Sequence, residues 1–331
     1  MNRTNLHDEF IKGLHERFPN RKQLVETISD ILRIEREPAS RRLSGKVQFS
    51  VQEMGIIASE LDIAIDSLLH KNQEFVTMPI ALKSPMNIKS MDNICDTIER
   101  TIGRANSIVQ AGCEFGTIFH LLPFQLYVSH PYLMKFMFFK WGHNLIGTDE
   151  FSDFGKWKIP ERLLSFEDKI NSFYENIEHP LFIWDNSLMW ELAREIEYLY
   201  KMRVISTEDM KNIKSDLKAM LDQLEKSLKG NCLPNQKNRN LSFYVSHINV
   251  GLTSFYISSE TSRISHLHTS FSASMLNENL ETFTAIKDWV DSFKSISVLI
   301  SGSGSLERRL FFKRQLQIID FFLSEEQKMV F

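Results

Sequence analysis

Apolar residues recur at spacings of three and four along the opening stretch of the chain, the rhythm of helices with one buried face. Leu6, Phe10, Ile11 and Leu14 predict a first helix over residues 5–17, closed by Pro19-Asn20, and Leu24, Ile28, Ile31 and Leu32 predict a second. Ile34 is the apolar residue of a tight turn. A third helix follows, in which Pro38 is tolerated because amides of an opening turn have no intrahelical partner. Ala39 and Leu43 face inward at i and i+4, and Gly45 ends the helix. Ser50 and Glu53 have capping-box spacing and open a fourth helix whose buried face is supplied by Met54, Ile57, Leu61 and the IAIDSLL tail.

Around His70 to Glu74 the phrase HKNQE breaks this rhythm, which divides the chain into residues 1–72, all-α, and 73–331. The second part mixes periods. Residues 75–84 read as a strand, 91–110 as a helix, and the aromatic-rich EFGTIFHLLPFQLYVSHPYLMKFMFFKWGHNL as a strand followed by a buried helix. A loop at FGKWKIPERLLS leads to helices at 162–177 and 186–202. Residues 207–229 form the most regular helix, with Thr207 as its cap and Gly230 as its stop. Its seam of Met210, Ile213, Leu217, Met220, Leu224 and Leu228 suits packing within the domain or a two-fold contact between chains. LSFYVSHINVGLTSFYISS and RISHLHTSFSASML alternate like three antiparallel strands; a helix at 280–293, a strand at SISVLIS and a helix at 306–322 complete an α+β domain with an antiparallel sheet.

Composition narrows the classes. With 43% hydrophobic residues over 331 positions, two ordinary cores are within reach, and no window approaches a membrane span. The N-terminus lacks the apolar region of an export signal, and Cys95, Cys113 and Cys232 are odd in number and widely spaced, so they read as reduced thiols and point to the cytoplasm. The net charge of −3 is uneven: residues 1–50 hold ten Lys or Arg against seven acids, leaving that segment +3 and the remainder −6. Five basic and two acidic residues lie between Arg33 and Lys46. A weakly acidic protein with one basic face suits DNA binding through a small surface.

The phrase ILRIEREPASRRLSGK followed by VQEMGIIASELDIAIDSLL resembles the DNA-binding domains of the Cro and lambda-repressor class, particularly the BetR-type helix-turn-helix of bacterial transcriptional regulators. Ile34, Arg41, Arg42, Gly45, Ile63, Ile65, Asp66, Leu68 and Leu69 carry the resemblance in order, over about the first 70 residues. Arg33 stands where that family usually has glycine, and Glu35 where it has a Ser or Thr cap. The resemblance implies a recognition helix that enters the major groove. Arg36, Glu37, Ser40 and Arg41 are then the candidates for base or adjacent phosphate contact, with Arg42, Ser44 and Lys46 for phosphate at the helix end.

Other constellations are weaker. SVLISGSGSLERRLFF sets a Gly-Ser turn before Arg308 and Arg309, but it is neither GxxxxGK[ST] nor GxGxxG and reads as a plain strand-to-helix connection. His266 and His268 share a strand face without a third metal ligand. No cofactor phrase and no nucleophile motif supports an enzyme. The sequence therefore predicts a DNA-binding transcriptional regulator that acts on double-stranded DNA as a homodimer, through an N-terminal helix-turn-helix and a larger dimerising or effector-sensing domain. The rival is a protein-interaction scaffold that uses the same helical module.

Overall fold

Helix caps set the architecture of the first part of the chain, and one strand buried on both faces sets that of the second. The computed structural model describes residues 6–18, 20–61, 63, 65, 81–82, 88–109, 112–234, 240–270 and 273–324, and the chain divides into two units, Met1–Pro79 and Ile80–Phe331. The boundary read at residues 70–74 and most of the strand read at 75–84 lie outside the described residues.

The first unit holds α1 (Leu6–Arg17), α2 (Arg21–Leu32), α3 (Arg36–Leu43) and α4 (Val51–Glu60). α2 begins where Asn20 Oδ1 accepts from the backbone N–H of Lys22 and Gln23, at 3.0 and 3.3 Å. It ends on Arg33, which is left-handed at φ 52° and ψ 45°, so a non-glycine residue carries steric strain there. Two residues later Glu35 stands at the N-cap of α3 and makes no side-chain cap. α4 has both bonds of the capping box, Glu53 N donating to Ser50 Oγ at 3.2 Å and Ser50 N to Glu53 Oε2 at 2.8 Å. Phe10, Leu14, Leu24, Ile28, Ala39, Leu43, Met54 and Ile57 form one buried core, and the buried His7 accepts the Phe49 N–H at 3.0 Å.

The second unit is organised on an eight-stranded sheet. Its elements in order are β1 (Ala81–Leu82), α5 (Met91–Asn106), β2 (Cys113–Phe119), α6 (Phe124–Tyr127), α7 (Pro131–Trp141), α8 (Glu161–Leu164), α9 (Phe166–Glu175), β3 (Ile177–Asp185), α10 (Leu188–Lys201), α11 (Thr207–Lys229), β4 (Ser242–Ser246), β5 (Thr253–Ser258), β6 (Arg263–Ser270), β7 (Ala273–Asn277), α12 (Leu280–Ser295), β8 (Val298–Leu299) and α13 (Ser305–Phe322). The strand order is β1-β7-β6-β5-β2-β3-β4-β8.

This sheet is mixed, which corrects the antiparallel expectation. β2 with β3 and β3 with β4 are parallel; the other pairs are antiparallel. β3 falls in a gap between two expected helices. Its run Leu181–Trp184 is buried on both faces and lacks the alternation of a half-exposed strand, the usual signature of a parallel interior strand. Ser242–Ser246, expected in an antiparallel set, instead joins β3 in parallel through Leu181↔Ser242 to Asp185↔Ser246.

One face of the sheet is aromatic. Phe182 and Phe243 stack at 5.8 Å with an interplanar angle of 2°, and Phe119 meets Trp184 edge-on at 5.4 Å. α9 covers this face through Phe173 and Tyr174 against Phe115, and α13 covers it through Phe311 against Trp184. On β2, Gly116 leaves room for the Tyr256 ring, with which any added Cβ would overlap. Tyr256 in turn meets Phe283 of α12 at 5.8 Å and lies under Lys287 at 5.2 Å.

The regular seam of α11 is interior. Met210, Ile213, Leu217, Met220, Leu224 and Leu228 are at most 1% exposed and belong to the domain's own core, so they are not available to a second chain. The cap of α11 is Ser206, one residue before the expected Thr207, and it accepts from Asp209 N at 3.1 Å. Among the described residues, no helix is long and apolar enough to cross a membrane.

Candidate functional site

The charged face of the first unit is built by α2 and α3. Ala39 and Leu43 turn inward and anchor α3, which leaves Arg36, Glu37, Arg41 and Ser44 exposed and Ser40 half-buried between them. Arg36 donates to Glu26 of α2 at 2.9 Å, with the arginine side chain exposed and the carboxylate partly so. Such a surface pair contributes little to stability and is readily exchanged. Arg41 and Lys46 make no ion pair among the described residues, and Ser44 Oγ donates to Arg41 O at 3.0 Å. Arg21, Lys22, Val25, Glu26 and Arg36 line a shallow depression beside the start of α2.

Arg42 is placed differently. Its guanidinium is half-buried, 2.9 Å from Glu53 Oε1, and also donates to Pro38 O at 3.4 Å. Burial raises the Glu53 carboxyl, but the Ser50 backbone N–H and Arg42 outweigh it and hold Glu53 below its ordinary pKa. Arg42 therefore ties α3 to the capping box of α4.

A second polar cluster, which no sequence phrase announces, forms at the carboxyl ends of β2 and β3. The Phe119↔Trp184 register brings His120 beside Asp185. Asp185 is fully buried and accepts from the backbone N–H of Ser187 at 2.9 Å, of Val250 at 2.6 Å and of Gly251 at 3.3 Å, and from Ser187 Oγ at 2.8 Å. His120 Nδ1 is 3.5 Å from Asp185 Oδ2, and its Nε2 is 2.9 Å from Glu191 Oε2. The hydrogen bond to Asp185 raises the His120 pKa against the effect of burial, and Glu191 adds to the rise. Burial alone would raise Asp185, but its donors hold it far below the carboxylate range. Ser187 gives its proton to the carboxylate, while Glu191 takes the outer imidazole nitrogen. Ser187 Oγ also lies 3.5 Å from His120 Nδ1. The backbone bonds of Val250 and Gly251 to Asp185 clamp the loop after β4 to β3.

The remaining candidates take structural positions. His266 stacks on Phe255 at 4.9 Å, and burial, with the neighbouring His268, lowers its pKa to about 4. No group of three or more His, Cys, Asp or Glu that could hold a metal occurs among the described residues. Arg308 is buried and donates to Ile300 O at 2.9 Å and Gly302 O at 3.1 Å, closing the Gly-Ser turn on itself. No family model, curated protein or solved structure matches this chain.

Proposed function

We propose that the first unit binds double-stranded DNA with α3 in the major groove, and that the chain is a transcriptional regulator of the helix-turn-helix kind. The observation that carries this reading is the outward face of α3: Arg41 exposed and unpaired among the described residues, with Arg36, Glu37, Ser40 and Ser44 along the same side and Lys46 just beyond. A major groove about 12 Å wide accepts one helix, and arginine can bond bidentately to guanine O6 and N7. Arg21 and Lys22, beside the N-terminus of α2, suit the phosphate backbone. Phosphate would displace Glu26 from Arg36. Arg42 acts in this reading by fixing the tilt of α3 through Glu53.

Two copies would read two half-sites about 34 Å apart. Because the α11 seam is buried, their contact would lie on another surface. The test is selection of bound fragments from random DNA by the full-length protein, followed by binding titrations. Arg41→Ala is expected to weaken the selected site by about 1–3 kcal/mol if Arg41 reads a guanine. An equal loss on unrelated DNA would make Arg41 a phosphate contact, and binding that ignores salt would overturn the reading.

A second reading, a protein-interaction module, is favoured by Val51 and Ile56, which α4 leaves 86% and 41% exposed. A partner held through apolar contact with these side chains would bind with little salt dependence.

A further inference from the structure

We propose that the aromatic face of the sheet holds a binding site for a small, uncharged aromatic molecule carrying one hydroxyl or N–H group. The proposal does not rest on the DNA reading and stands even if the chain never touches DNA. A cavity of about 220 Å³ lies among Phe115, Phe119, Phe124, Phe173, Tyr174 and Phe255. An apolar cavity of about 150 Å³ holds benzene, so this one has room for a substituted single ring or a fused pair.

The lining selects the ligand's chemistry. No Asp, Glu, His, Lys or Arg borders the cavity, so a charged ligand would give up its hydration without compensation. Six rings from β2, α6, α9 and β5 offer both faces and edges, and aromatic pairs gain most from offset and edge-on contacts at about 4.5–7 Å. An aliphatic guest of equal volume would lack that gain.

The polar handle is also present. Gln125 and Tyr174 both border the cavity, and among the described residues neither the amide nor the hydroxyl has a hydrogen-bond partner. Gln125 can accept from a ligand donor through its amide oxygen. The other polar groups of the lining are engaged: Thr117 Oγ1 donates to Ser254 O at 2.9 Å, Thr101 Oγ1 donates to Thr97 O at 3.0 Å, and Thr253 Oγ1 accepts from His120 N and Leu121 N, each at 3.2 Å. Recognition of one donor by Gln125 or Tyr174 is the simplest use of what remains.

The experiment titrates the full-length chain with 2-naphthol, naphthalene and 2-naphthoate, following ligand fluorescence and the melting temperature. 2-Naphthol is expected to bind and stabilise, naphthalene to bind about tenfold more weakly for want of a donor, and 2-naphthoate more weakly still. Ile102 is half-buried at the cavity edge, so Ile102→Trp should fill the space and remove binding of both neutral probes while leaving the fold intact. Gln125→Leu keeps the shape but removes the amide, and should bring 2-naphthol down toward naphthalene. It carries the test if Ile102→Trp fails to fold. Equal affinity for 2-naphthol and 2-naphthoate, retention of binding in a folded Ile102→Trp, or no binding of 2-naphthol up to its solubility limit would overturn the proposal.

Discussion

The two units reach order by opposite routes. In the first, two of the four helices are opened by side chains next to them in sequence: Asn20 opens α2, and Ser50 with Glu53 opens α4. In the second, the central strand β3 owes its place to partners far along the chain, parallel neighbours at 113–119 and 242–246. The contrast shows where polar chemistry can be placed. Short capped helices carry their charges outward on a surface that packing does not need, whereas a buried parallel strand confines polar groups to its end, where Asp185 sits in a closed set of donors.

Four substitutions would break or sharpen this contrast, beginning with the largest effect. Phe182→Ala removes a fully buried ring from the stack with Phe243 and should cost about 3–5 kcal/mol. Chemical denaturation followed in the near ultraviolet for aromatic packing and in the far ultraviolet for helix should show the sheet domain losing its packing early while helices of the first unit persist. Loss of both in one step would erase the contrast.

His120→Gln should cost about 1–3 kcal/mol, because Asp185 loses a charged partner while keeping its backbone donors. The sign of its pH dependence follows from the raised pKa. The protonated imidazole's contribution is complete below the ordinary value of 6.5 and fades as pH rises through the higher value of the folded state. Asp185, held low, stays ionised throughout that range and adds no slope. Stability curves of the native protein and the variant should therefore converge as the medium is made alkaline. A constant gap would mean that His120 acts without its proton.

Arg42→Ala should cost the first unit about 1–2 kcal/mol by stranding Glu53, whose carboxyl would lose the partner that helps to hold its pKa down. Thermal unfolding at two acidities would register both effects. Arg33→Gly should run the other way and stabilise by about 0.5–1 kcal/mol, since glycine occupies a left-handed cap without a Cβ penalty. A lower melting temperature for that variant would mean that the Arg33 side chain contributes more than its backbone costs.

Legibility in the sequence follows the same division. The start of α4 at its capping box, the place of α3 and the inward positions of Ala39 and Leu43 could be read because each depends on residues within a turn or two. The cap of α2 at Asn20 and the end of α4 at Glu60 could not, since Pro19-Asn20 read as the close of the first helix and the apolar rhythm of the fourth ran on into IAIDSLL. β3 could not, since PLFIW has no periodicity to separate a buried strand from a stretch of buried helix. The α11 repeat gave the right helix but was silent on its neighbours, as a seam looks the same whether it faces its own core or another chain. Nothing local links His120 to Asp185; only the register of two parallel strands does. The exposed positions of α3 were readable, whereas the inward turn of Arg42 depends on α4 lying beside it.

The bare position at Gly116 has a wider reach than its size suggests. Tyr256 rests in the space a methyl group would take, and Phe283 and Lys287 of α12 rest on Tyr256, so the seating of an entire helix depends on a hydrogen atom two layers below it. In a saturation survey of β2, alanine at this site should be tolerated as poorly as a bulky residue elsewhere on the strand.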